Sequence, residues 1–182
     1  MSVARLLAIL AALAISAYVA LSTAQAQTRV HRAAAPAGLA RPTGGSFTIN
    51  MPVGFRDVEV TVDDGGNGHE VGYLLSGRTS EGVKFIAMEL LVPMPVKPIT
   101  SFLDDMKARP GAVVSEVAHE KDTDRETLSF RFEDGKSGAY MRMIRLPEVG
   151  YSQTIEYPLA AREQAAALQP EFFASFRIAP RK

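Results

Sequence analysis

VVSEVAHEKDTDRETLSFRFEDGKSGAYMRMIRLPEVGYSQTIEY, residues 113–157, contains four strand-like stretches separated by short turns. Val113 to Glu120 leads through Lys121-Asp122-Thr123-Asp124 into Glu126 to Glu133, where Leu128, Phe130 and Phe132 share one face. Asp134-Gly135 begins the next turn and Gly138 to Leu146 is the third stretch. Pro147 and Gly150 close it, and Tyr151, Ile155 and Tyr157 mark the fourth. Connections this short join antiparallel neighbours, because a parallel return needs a crossover of a dozen residues or more. The spacing therefore predicts a four-stranded antiparallel run.

The same pattern extends upstream. Phe47 to Met51 alternates apolar and polar before Pro52 and Gly54 break it. Val58, Val60 and Val62 alternate with Asp57, Glu59, Thr61 and Asp63, which predicts a half-buried strand with one wet face. Asp63 to Gly68 is a turn by composition. A strand from Glu70 to Arg78 follows, and Val83 to Val92 is nearly continuous in apolar residues, as in a strand covered on both faces. Two helices complete the pattern. After Pro98, the residues Ile99, Phe102, Leu103 and Met106 fall at i, i+3, i+4 and i+7, one apolar stripe that Pro110-Gly111 ends. A second helix, from Ala160 to Phe173, is expected to bury Ala165, Leu168 and Phe172, with Phe173 to Ile178 returning to the sheet.

These residues carry a family likeness. GGSFTINMPVGF, residues 44–55, resembles the first strand and Pro-x-Gly-aromatic turn of PsbP-like domains. The mid-chain helix is similar too, as is YSQTIEY at 151–157 followed by a helix that ends in FFASF at 172–176. The resemblance implies an α+β fold: an α-β-α sandwich with a central antiparallel sheet of about six to eight strands and two main helices. Bacterial relatives include exported envelope proteins of the DcrB type. Family members act mostly as accessory or assembly proteins that bind other proteins, so the resemblance implies that kind of role.

The N-terminus says where the chain works. Arg5 precedes a run from Leu6 to Leu21 without a charge, and Ala24-Gln25-Ala26 follows. Charge, apolar core and A-x-A order are those of a secretory signal peptide, with cleavage expected before Gln27 and a second site at Ser22-Thr23-Ala24. The apolar run is shorter than the roughly twenty residues that span a bilayer. Retention as an anchor is the rival reading, and membrane contact is then through this segment alone. Residues 27–45, rich in Ala, Pro and Gly, read as a flexible leader, and 46–182 as one PsbP-like domain. The expected location is the periplasm or the exterior.

Twenty basic residues balance twenty acidic ones, so nonspecific nucleic-acid binding is not expected. The chain has no cysteine, which excludes lipid attachment at cysteine, disulfides and thiolate chemistry. Asp63, Asp64, His69 and Glu70 are the best metal candidates, yet they lack EF-hand spacing or a paired-histidine motif, and read as an acidic hairpin tip. His119 to Asp124 reads as a solvated loop. Arg131, Arg142, Arg145, Glu133 and Glu156 read as a cross-strand charge ladder, with Tyr140, Met141 and Met143 supplying apolar surface nearby. There is no Gly-x-Ser-x-Gly and no Ser-x-x-Lys. No catalytic, cofactor-binding or metal residue is therefore assigned. The expected function is a non-catalytic accessory or protein-interaction module whose partner is another envelope protein. A small-ligand or lipid-binding domain with a groove between sheet and helix is the alternative, and an envelope hydrolase comes third.

Overall fold

The computed structural model describes residues 26–63, 69–91 and 98–181, so the proposed signal segment up to residue 25 and Asp64 lie outside it. Eleven strands are described: β1 Ala26–Ala35, β2 Gly38–Ala40, β3 Phe47–Met51, β4 Phe55–Asp63, β5 His69–Arg78, β6 Lys84–Leu91, β7 Val113–Lys121, β8 Glu126–Glu133, β9 Ser137–Arg145, β10 Gly150–Pro158 and β11 Arg177–Ile178. Helix α1 spans Ser101–Lys107, and α2, Arg162–Ala174, continues a 3-10 turn at Leu159–Ala161. The large sheet has the order β1-β4-β5-β6-β10-β9-β8-β7, and a small sheet has the order β11-β3-β2.

The four stretches of residues 113–157 pair as antiparallel neighbours, β7 with β8, β8 with β9 and β9 with β10. Turn chemistry supports the register: Asp134 accepts hydrogen bonds from the backbone N–H of Lys136 and Ser137 and so closes the β8–β9 hairpin. Gly138 sits where the ring of Tyr157 passes so close that a Cβ would lie 2.4 Å from it. Any larger residue there must displace a buried tyrosine.

The α-β-α sandwich with two main helices is not the architecture observed. An eight-stranded antiparallel sheet dominates, beside one helix of thirteen residues and one of seven. Geometry explains the difference. A seven-residue helix is about 10 Å long, whereas eight strands extend across about 34 Å. Helix α1 therefore covers only a patch, where Ile99, Leu103 and Met106 pack with Leu128, Phe130, Phe132, Met141 and Met143. On the opposite face α2 shares the cover with the small sheet. Phe47, Ile49, Met51, Ala165, Phe172 and Phe176 pack there against Leu75, Phe85, Ile155 and Tyr157. Phe176 stacks on Phe47 at 5.3 Å, which brings the chain back after α2 as its apolar closing residues predict.

Residues 27–45, expected to be a flexible leader, contribute β1 at the sheet edge and β2 in the small sheet. Polar contacts accompany the strand pairing. Asp57 is fully buried, and its carboxylate accepts hydrogen bonds from Arg32 Nε and Nη2 (3.0 and 2.9 Å) and from Thr43 Oγ1 (2.8 Å). Arg41 reaches the Gly45 and Pro180 carbonyls and ties the same segment to the C-terminal end. The face of β4 that alternation marks as wet is thus covered at Asp57. Its acid is the socket for an arginine that composition alone assigns to a tether.

Candidate functional site

The alternation of β9 places Arg142 on the sheet face beneath α2, while Met141 and Met143 point to the α1 side as core residues. Antiparallel register builds a continuous row there: Gln153 lies opposite Arg142, Arg142 opposite Ser129, and Ser129 opposite Ala118. In the next row Ile144 faces Thr127, which faces Glu120. The second half of α2 overhangs these rows. Between them is a groove of about 360 Å³ lined by Arg142, Ser129, Thr127, Phe173 and Pro170, with Ala118 and Glu120 on the β7 side.

Arg142 and Gln153 both donate to the Phe173 carbonyl, at 3.1 and 3.3 Å. That carbonyl belongs to the last turn of α2, where the helix itself has no N–H to offer, so two side chains cap it. Gln153 is fully buried, and its Oε1 has no hydrogen-bond partner among the described residues. Burial weakens the hold of Arg142 on its proton, and the neighbouring charge of Arg125 acts in the same direction. Pro170, inside α2, removes one i→i−4 hydrogen bond and puts its ring on the groove wall.

The residues singled out in the sequence are dispersed. The expected charge ladder is divided between two faces: Arg131, Glu133 and Arg142 lie on the α2 face, Arg145 and Glu156 on the other. Arg131 pairs with Glu116, Arg162 with Glu133, and Lys84 with Glu156 at 3.5 Å. The His119–Asp124 cluster is a hairpin closed by Asp122 N–H donating to the Arg125 carbonyl. Its His119 meets Glu126 at 3.0 Å while Glu120 borders the groove. His31 meets Glu59 at 2.9 Å. Asp63 and His69 are opposite each other in the β4–β5 hairpin, but the side chains of Asp63, His69 and Glu70 lie outside the description, as does Asp64. Among the described residues no three or more His, Asp or Glu side chains converge on a possible metal position.

Glu126 gives a pH signature. Burial opposes its ionisation, but the hydrogen bond with His119 and the charge of Arg145 outweigh burial and hold its carboxyl below the ordinary range. A carboxyl whose folded-state value is depressed stabilises the fold above its unfolded value and loses that contribution as pH falls through the folded value. Glu126→Gln is therefore expected to be less stable than the native protein at pH 7. The gap should narrow as pH drops below roughly 4. Urea unfolding of both proteins across that range checks it, and a constant gap would refute it.

The groove was legible in one respect only. Arg142 interrupts an otherwise apolar strand, Ala139 to Ile144, at a position whose parity matches Tyr140 and Ile144. A charge in such a place signals either a buried pair or a site.

No family model matches the chain, and no curated protein matches it significantly. The crystal structure of LpqN, involved in cell envelope biogenesis of Mycobacterium tuberculosis, is similar with a TM-score of 0.40 and 11% sequence identity. That likeness covers 86% of this chain and 92% of LpqN. Among the described residues, no helix is long and apolar enough to cross a membrane.

Proposed function

We propose that the chain is an exported, non-catalytic accessory domain of the bacterial envelope that works by binding, with the groove under α2 as its recognition element. The observation that carries this reading is the groove itself. It is concave, it combines apolar walls with a few polar groups, and its volume is at the lower end of the range for small-molecule sites. The signal-like N-terminus supports export, and the PsbP-like sequence signatures support an accessory role.

Native mass spectrometry of protein purified without denaturant is expected to show an added mass of a few hundred daltons. Ala118→Trp, at an exposed position on the edge strand, should abolish it by filling the groove. An unliganded spectrum for the native protein, or a mass unchanged by Ala118→Trp, would remove the groove from consideration.

A protein partner is the second reading. Val113 and Val117 are large apolar side chains exposed on β7, the last strand of the sheet, and an unpaired edge is a template for another chain. The bulge between Ser115 and Ala118, with Glu116 at φ 54°, interrupts that edge and limits how long a partner strand can pair.

A further inference from the structure

We infer that the groove takes a singly charged carboxylate carried on a small apolar body, and that Arg142 receives the carboxylate; this rests on the reading of the groove as a ligand site. Five other arginines are matched to acids, Arg32 to Asp57, Arg131 to Glu116, Arg145 to Glu126, Arg162 to Glu133 and Arg181 to Glu89, while Arg41 and Arg177 donate to backbone carbonyls. Arg142 is half-buried and has no carboxylate within ion-pair distance among the described residues. A guanidinium has five N–H donors in a planar fork, and the protein engages Arg142 through the Phe173 carbonyl. A carboxylate fits the remaining fork geometry with two parallel hydrogen bonds, and its charge offsets the cost of holding the cation away from water.

The surroundings narrow the ligand further. Ser129 stands directly across from Arg142 in the register and Thr127 in the adjoining row, so two hydroxyls on the same floor can donate to a bound oxygen. Negative charge in the groove is limited from two sides. Glu120 lines it, and the C-terminal end of α2, with its partial negative charge, lies against it. With Glu120 already offsetting part of the Arg142 charge, a second negative charge on the ligand is repelled, so a phosphate dianion is disfavoured relative to a singly charged carboxylate. Ala118, Pro170, Phe173 and Ala174 provide apolar wall for the rest of the molecule.

Four eight-carbon probes that differ in the head group separate the possibilities: octanoate, octyl phosphate, octylamine and octanol, titrated calorimetrically into the exported protein. Octanoate is expected to bind at least tenfold more tightly than the other three. Arg142→Gln should weaken octanoate at least tenfold and leave octanol unchanged. Arg142→Lys keeps the charge but loses the fork, so its loss should be intermediate. That variant also keeps the test open if Arg142→Gln folds poorly. Equal binding of octanoate and octanol, tighter binding of the phosphate or the amine, no binding of octanoate, or indifference to both Arg142 variants would each overturn the inference. The groove reading stands or falls separately: a mass bound by the native protein and lost in Ala118→Trp preserves it even if Arg142 plays no part.

Discussion

Glu89→Ala is expected to lower the unfolding free energy by about 2–4 kcal/mol, the cost of leaving two buried donors without their shared acceptor. Glu89 is fully buried on β6, where a nearly continuous apolar strand offers no obvious reason for an acid. Its carboxylate accepts hydrogen bonds from Ser46 N–H at 2.6 Å, Ser46 Oγ at 2.7 Å and Arg181 Nη2 at 2.5 Å. The Tyr151 hydroxyl lies 2.8 Å from the same Ser46 Oγ. One side chain thus joins the start of β3, the sheet centre and the chain beyond β11. Alanine leaves the buried Ser46 N–H and hydroxyl without their acceptor where water does not replace it, while the half-exposed Arg181 guanidinium loses its partner and turns to solvent. Chemical denaturation measures the loss directly, and the midpoint of thermal unfolding should fall by roughly 10 °C. Glu89→Gln keeps the shape and one acceptor oxygen and should cost about half as much. A loss below about 1 kcal/mol for Glu89→Ala would mean that the carboxylate does not hold these segments together.

The second large effect is local before it is global. Asp57→Ala removes the acceptor that holds Arg32 and Thr43, and with it the polar anchor of β1 and of the turn after β2. A loss of about 2–4 kcal/mol follows from stranding a charged donor at a partly buried position. Because β1 is at the sheet edge and pairs only with β4, its release need not unfold the rest. Limited proteolysis should therefore cut the variant within residues 26–45 well before the remaining domain is attacked, whereas the native protein resists there. Identical cleavage patterns in the two proteins would show that strand pairing, and not Asp57, secures the segment.

Both sites show why the sequence was readable in some places and not in others. Phe47–Met51 and Glu126–Glu133 match the strands that alternation predicts, and Pro98 and Pro110 bracket α1, because these signals act over a few residues. Helix α2 is displaced by only a residue or two, but Phe173 joins Phe172 in the core while Leu168 is partly exposed. Its periodicity gives a face without saying how much of that face the small sheet will cover. Asp57 and Glu89 were opaque for a different reason. Their partners are Arg32 and Thr43 in one case, Ser46 and Arg181 in the other, up to ninety-two residues away. No local pattern contains such a pairing. Arg142 sits between these extremes: its parity with Tyr140 is a sequence fact, but the helix that turns that face into a groove lies some thirty residues downstream.

By itself, the amino-acid order determined the approximate positions of the strands from Phe47 to Pro158 and of both helices, that neighbouring strands run antiparallel, and that no thiol chemistry is possible. Those properties follow from periodicity, turn residues and composition, which are short-range. Only the tertiary structure decided that the leader contributes strands, that the helices are patches and not layers, and that Arg142 lines a groove with no carboxylate within ion-pair distance among the described residues. These outcomes depend on which distant groups meet when one sheet closes its ladder, and burial sets the strength of each meeting only after the chain has folded.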